Sequence, residues 1–209
     1  MPSSTKPKLI KSPDTLRKDR IPPGQRLVES WRVLHYGDIP GIDISRWTFK
    51  INGLVEEPKE LGFEEFMALP VVEVLSDIHC VTGWTAKDNL WEGISSSAIK
   101  ELVTIKPEAR YVIIRGAGDF TTNLPIDEFF AGDALFAIKH NGRELTPEHG
   151  WPLRLVVPHL YFWKSAKWVR GVLFSKEDVP GFWESHGYHN HGDPWKEERF
   201  GRRGQNGES

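Results

Sequence analysis

The apolar positions of this chain fall into short runs, some alternating and some with helical spacing, and these runs set the expected elements. Trp47-Thr48-Phe49-Lys50-Ile51 alternates and then meets Asn52-Gly53, which predicts a strand entering a tight turn. Residues 62–69 read GFEEFMAL and are stopped by Pro70, which predicts a short helix. Residues 71–80 read VVEVLSDIHC and predict a strand that ends on Cys80, followed by the turn Val81-Thr82-Gly83-Trp84. Ser95-Ser96-Ser97 caps a helix through Leu102, with Ile94, Ala98, Ile99 and Leu102 on one face. Strands are expected over 109–115, over 134–140 before the turn Asn141-Gly142, over 153–157 before Pro158, and over 167–175. A short helix is expected over 125–130.

Strands and short helices alternate without the long-helix rhythm of a doubly wound sheet. The expectation is an α+β domain built on a single mixed sheet. Residues 1–24 carry Ser-Pro, Pro-Pro-Gly and mixed charge, with few side chains able to join a core, and read as a flexible arm. The body is expected over 25–198, and 199–209 read as a disordered Gly/Arg/Asn/Glu tail. No internal repeat or interior linker divides the body.

Composition narrows the function classes. A chain of 209 residues fits one large domain that needs no staple, and its one cysteine cannot form an internal disulfide. A net charge of −2 gives no uniform basic field, so nucleic acid is not an expected partner. No apolar run approaches the roughly 18 residues of a membrane span. The N-terminus shows no apolar signal region and no twin arginine, which leads to the expectation of a cytoplasmic protein. Nine tryptophans are many; such rings fill cores and also wall deep cofactor pockets.

Three features could carry chemistry. Cys80 is a lone thiol at a strand end beside a glycine turn, where a soft metal or an electrophile can be met; equally, a lone cysteine serves as a small buried hydrophobe. His186, His189 and His191 place three imidazoles within six residues, either a zinc or copper site or a polar loop. Arg154, Lys164 and Lys167 sit among aromatics, in the segments around His149 and Trp163. Cations so embedded need an anion, which a phosphate-bearing ligand would supply; otherwise Arg154 pairs with an internal carboxylate and the lysines reach outward. There is no Walker sequence and no nucleophile elbow, and Gly116-Ala117-Gly118 lacks the third glycine of a dinucleotide loop.

Taken in order, these residues resemble the sulfite oxidase family of molybdopterin enzymes, in its short bacterial and archaeal form. The resemblance runs through Asp77-Ile78-His79-Cys80-Val81-Thr82-Gly83-Trp84, Trp91-Glu92-Gly93, Asn141-Gly142 and His149-Gly150-x-Pro152-x-Arg154. It continues through Val157-Pro158, Lys167-Trp168, Gly181-Phe182-Trp183-Glu184 and Gly187-Tyr188, so that it covers roughly residues 25–197. It implies a molybdenum-molybdopterin cofactor, with the Cys80 thiolate as the protein's one metal ligand and the pterin dithiolene supplying two further sulfurs. It implies that His149, Arg154, Ser165, Ala166 and Lys167 hold the pterin and its phosphate, with His35 and Tyr36 near the start of the body. The implied activity is two-electron oxygen-atom transfer to or from a small oxo donor or acceptor, with electrons exchanged with a separate protein.

The pattern also departs from the family. Thr85 stands where true sulfite oxidases carry an arginine, and Phe120 aligns with a tyrosine near the metal. Both departures remove groups that a sulfite anion would use. The haem and dimerisation domains of larger members have no counterpart here. Relatives that reduce methionine sulfoxide share the one-domain plan. Two other readings compete: a non-catalytic molybdopterin carrier, and a zinc protein built on the cluster from His186 to His191.

Overall fold

The computed structural model describes residues 7–34 and 36–201. Twelve strands form two sheets among these residues. The larger sheet is organised around a long hairpin, β5 (Val71–Cys80) and β6 (Trp84–Ser95). Along one edge, β1 (Lys8–Lys11) pairs parallel with β5. Two strands share the far edge of β6: β2 (Arg26–Val28) lies parallel to its start, and β9 (Leu135–His140) lies antiparallel to its end. Behind β9 come β10 (Arg143–Glu144) and β11 (Arg154–Val156). The smaller sheet runs β4 (Lys59–Gly62), β3 (Thr48–Gly53), β12 (Val169–Ser175), β7 (Tyr111–Gly116), β8 (Thr121–Pro125).

Helix is scarce. The α-helices α1 (Phe63–Met67), α2 (Ile126–Phe129) and α3 (Phe182–Ser185) each make about one turn. Gly62 starts α1, where the Glu65 carboxylate accepts the Gly62 N–H at 2.7 Å. The helix expected after Ser95 is a 3-10 helix, Ser96–Glu101, with the Ser95 hydroxyl accepting from Ser97 N–H at 3.3 Å. No helix among the described residues is long and apolar enough to cross a membrane.

The expected mixed sheet is present in kind but divided in two. Helices this short cannot cover a sheet face, so a second sheet does. Phe49, Ile51, Val112, Ile114, Val172 and Phe174 of the smaller sheet meet Ile94, Phe136 and Leu155 of the larger in one core. Phe49 lies edge-on to Phe136 at 5.2 Å. The opposite face of the larger sheet buries Val74, Ile78, Cys80, Trp84, Trp91 and Val156, so its central strands are covered on both sides.

Of the expected arm over residues 1–24, residues 1–6 lie outside the described residues; in the remainder β1 adds to the edge of β5, and Ser12 N–H continues the ladder to the Leu75 carbonyl at 2.9 Å. Arg20 then forks onto the buried Asp77 carboxylate at 2.6 and 2.9 Å. Backbone pairing and charge hold this stretch, neither of which needs apolar side chains. Of the expected tail 199–209, Phe200 bridges Tyr188 and Arg199 is hydrogen-bonded to the body, while 202–209 lie outside the described residues.

Candidate active site

The β5–β6 hairpin presents Cys80, and a bulge in β6 decides which way its neighbours face. Ser76 pairs with Asn89 and Ile78 with Ala86, so Lys87 and Asp88 together oppose Asp77. Asp77 accepts the Asp88 N–H at 3.0 Å while Asp88 sits at φ 58. Strand alternation alone would put Trp84 and Trp91 on opposite faces. The extra residue brings both onto the face carrying Val74, Ile78 and Cys80. Past Cys80 the chain reverses through three residues, with Gly83 at φ 88 and its N–H on the Cys80 carbonyl at 3.0 Å. The thiol is buried, 3.1 Å from the Thr82 hydroxyl.

Cys80 lines a cavity of about 350 Å³ whose walls are rich in aromatic rings, with Trp31, Trp84, Phe120, Phe162 and Trp183 among them. The same cavity is lined by His149, Arg154, Ser165, Ala166, Lys167 and Tyr36. The structure thus brings seven of the eight sequence-selected site residues to one place; the eighth, His35, lies outside the described residues. Tyr36 is the most exposed of them and leans on Phe182 and Trp183.

One wall is basic. Arg154 is 5 % exposed, and its guanidinium lies 4.0 Å from the centre of the Phe162 ring and 5.2 Å from that of Trp31. It donates to the His149 carbonyl at 2.9 Å, but its Nε is buried without a partner. Burial pulls it down to about 9, so it stays charged at neutral pH. The proposed internal carboxylate for Arg154 is absent among the described residues. Lys167 donates from Nζ to the carbonyls of Glu148 at 2.8 Å and Leu34 at 2.9 Å; burial first, and Arg154 second, bring it down to about 7. His149 is lowered by burial, Arg154 and Lys167. Its ring leans on Trp31 at 4.4 Å, and its Nδ1 meets the Thr146 hydroxyl at 2.8 Å. The Ser165 hydroxyl accepts from Val157 N–H at 3.0 Å and so fixes the turn into this wall. The N–H groups of Ala166 and Lys167 donate to no acceptor among the described residues.

The other candidates sort differently. Lys164 neither faces a ligand nor reaches outward: it is fully buried, 2.8 Å from the Glu184 carboxylate, and donates to Asn123. Thr85 faces away from the cavity and shares a hydrogen bond of 3.0 Å with the buried His79. Trp163 lines the cavity, whereas Trp91 is buried beneath Trp31. The histidine cluster does not form a metal site. His186 Nδ1 meets the Phe182 carbonyl, His189 Nδ1 accepts two backbone N–H groups, and His191 lies between the carboxylates of Glu128 and Glu198 at 3.0 and 2.8 Å. No group of three His, Cys, Asp or Glu side chains suited to a metal ion exists among the described residues.

The sequence reading missed Trp31, which contacts Trp91, His140, His149 and Phe162 from a segment without strand or helix. It also missed Thr82 and Tyr188. A lone tryptophan in an irregular segment gives no periodic signal; only its size marks it.

The chain is similar to several known proteins. The model of an oxidoreductase molybdopterin binding domain matches residues 36–183. The uncharacterized oxidoreductase YuiH of Bacillus subtilis (strain 168) is 53 % identical over 182 residues, covering 87 % of this chain and 92 % of that protein. Sulfite oxidase of Arabidopsis thaliana is 24 % identical over 210 residues, with 80 % of this chain and 53 % of that protein covered. The crystal structure of the sulfane dehydrogenase SoxCD from Paracoccus pantotrophus superposes with a TM-score of 0.63 at 24 % identity, covering 68 % of this chain and 41 % of that chain, a likeness of fold. The chain therefore spans nearly all of YuiH but only about half of sulfite oxidase.

Proposed function

The chain belongs to the sulfite oxidase family of oxidoreductases, built on a domain that binds molybdenum-molybdopterin, and from that premise we propose that Cys80 ligates the metal while Arg154, Lys167, His149, Ser165 and Ala166 hold the pterin. The observation that carries this reading is the buried guanidinium in the basic wall. Arg154 has an orphaned Nε and no carboxylate bonded to it among the described residues, and burial and Arg154 bring Lys167 down to about 7 against the opposing charge of Glu148. A buried guanidinium without an anion bonded to it is costly. A phosphate there would satisfy both Arg154 and Lys167, with the free N–H groups of Ala166 and Lys167 as further donors. These residues fit the cofactor's anionic end.

Cys80 supplies the soft donor. One protein thiolate suffices where the cofactor brings further sulfurs, which accounts for a metalloenzyme without a ligand cluster. The cofactor supplies two-electron redox change at its metal, used for oxygen-atom transfer with a small oxo donor or acceptor. The protein's part is to hold the thiolate beside Thr82, to keep the site dry with Trp84, Phe120 and Trp183, and to anchor the pterin on the basic wall. The residues flanking Cys80 in its turn, Val81 and Thr82, are uncharged, and Phe120 offers no hydrogen bond, so sulfite is not named as the substrate. Electrons are exchanged with a separate protein at the open side of the cavity.

The test is metal and pterin content in protein made by a host that synthesises the cofactor. Wild type should carry molybdenum and pterin near one per chain, and Cys80→Ser should keep pterin but change the metal's spectrum. Folded wild type devoid of pterin would refute the reading. Pterin with an unchanged spectrum in Cys80→Ser would leave a binding protein that does not use the thiolate.

A further inference from the structure

Three stretches far apart in the chain meet at one guanidinium. Arg199 donates from Nη1 to the Val81 carbonyl at 2.5 Å, and from Nη2 to the carbonyls of Gly24 at 3.1 Å and Pro23 at 3.4 Å. Val81 opens the turn after Cys80. The N-terminal segment grips the same turn: Gln25 Nε2 donates to the Cys80 carbonyl at 3.1 Å, and Arg26 N–H donates to the Gly83 carbonyl at 3.0 Å. All three of these turn carbonyls, at 80, 81 and 83, are thus held by residues outside the hairpin.

Gly24 is at φ +65, in the left-handed region that favours glycine, and the ends of the Glu197 and Arg199 side chains lie over it, 2.7 and 2.9 Å from where a Cβ would stand. Arg199 is itself fixed. Its N–H bonds the Glu197 carbonyl at 2.7 Å, its carbonyl accepts from His189 N–H at 3.2 Å, and its guanidinium lies 5.4 Å from the Tyr161 ring centre. The next residue, Phe200, bridges Tyr188, which lines the cavity. A guanidinium can serve two backbone segments at once because its N–H donors point in fixed, divergent directions; an ammonium cannot do so with the same geometry.

We propose that Arg199 is a positioning residue for Cys80: by tying the Val81 carbonyl to the carbonyls of Pro23 and Gly24, it fixes the turn from which the thiolate reaches the metal. The role as a metal-centre device rests on the ligand reading of Cys80 given above. The constraint on the turn exists with or without cofactor, and the test uses this.

Cys80 is the only cysteine, so a thiol reagent reads this one site. On cofactor-free protein, Arg199→Gln should speed modification of Cys80 by an aromatic disulfide reagent about tenfold, the factor given by about 1.4 kcal/mol easier local opening. Hydrogen exchange at the Gly83 N–H should rise in parallel. Arg199→Lys should fall between the two. Arg110→Gln should leave the rate unchanged, since Arg110 caps only the carbonyls of Pro107 and Ala109 beside β7. On loaded protein, Arg199→Gln should also shift the spectrum of the metal centre. Equal labelling and exchange in folded Arg199→Gln and wild type would overturn the proposal; if the glutamine variant does not fold, Arg199→Lys is judged by the same two readouts. Should labelling accelerate while Cys80→Ser leaves the metal spectrum untouched, the ligand reading fails and the clamp on the turn stands.

Discussion

Replacing Arg154 by Met separates a cofactor anchor from a structural arginine, because the two roles predict opposite signs in cofactor-free protein. Burial takes the guanidinium from its ordinary range down to about 9. At about 1.4 kcal/mol per tenfold, that is an upper bound of roughly 5 kcal/mol against the buried charge. Methionine removes this term and keeps most of the volume against Phe162 and Trp31. It also loses the bond to the His149 carbonyl, about 1.5–3 kcal/mol for a charged donor, and the contact over Phe162, about 1–2 kcal/mol. The balance is neutral to stabilising, roughly 0–2 kcal/mol, or up to about 6 °C in Tm for a chain of this size. In loaded protein the same change strips the counter-charge from a buried phosphate and should destabilise by about 3–5 kcal/mol. Thermal melts of wild type and Arg154→Met, each from hosts with and without cofactor synthesis, read both signs. An equal loss of stability in the two forms would refute the reasoning and make Arg154 a packing residue.

Two further outcomes follow from charge networks outside the cavity. Glu128 bonds His159 and His191; its carboxyl is held well below the usual range, first by His159, while His191 is raised by Glu128, and His159 is raised by the same carboxylate in spite of its burial. The histidine contribution is fully present below about 6.5 and lost as pH rises through the raised values; the glutamate contribution is present above about 4.5 and lost on acidification. The difference in unfolding free energy between wild type and Glu128→Gln should therefore be widest near pH 6, at roughly 1–2 kcal/mol, and shrink by pH 9; a gap independent of pH would contradict the network. Separately, Arg20→Ala strands the fully buried Asp77 carboxylate beneath the β6 bulge and should cost about 3–5 kcal/mol in denaturant melts. A loss below about 1 kcal/mol would mean that the Asp88 N–H satisfies Asp77 alone.

Much of the site was legible because its signals are local. Residues 71–80 form an apolar run of strand length, and Cys80 ends it beside a glycine turn. Arg154 and Lys167 stand out as cations among aromatics. Lys164 gave the same signal, yet its carboxylate partner, Glu184, lies twenty residues on and reaches it only through the fold. The longest strand, β6, was not read because the bulge at Lys87 and Asp88 breaks its alternation. The first strand escaped because it is a four-residue edge, mostly exposed, held by backbone pairing and the single apolar contact of Ile10 with the core. The division into two sheets is a matter of which strands pair across the chain, as when β12 lies between β3 and β7. Hydrophobic pattern does not specify such distant pairing.

The two halves of the site are built to different tolerances, and the fold explains why. On the ligand role proposed for Cys80, the thiolate comes from a long hairpin bonded along both strands and gripped at its turn by Gln25, Arg26 and Arg199. The basic wall comes from Arg154 at the start of β11 and from the turn between β11 and β12, where the Ser165 hydroxyl and the Ala166 carbonyl hold the chain but Arg154 keeps an unused Nε. A metal–sulfur bond demands position, so its ligand belongs on a rigid hairpin. An anion bound by several donors tolerates small shifts but demands uncompensated charge, which the Arg154 side chain keeps even though the backbone of its strand is paired. Rigidity at the turn and unsatisfied charge at the wall are therefore complementary requirements, and one cavity between two sheet edges meets both.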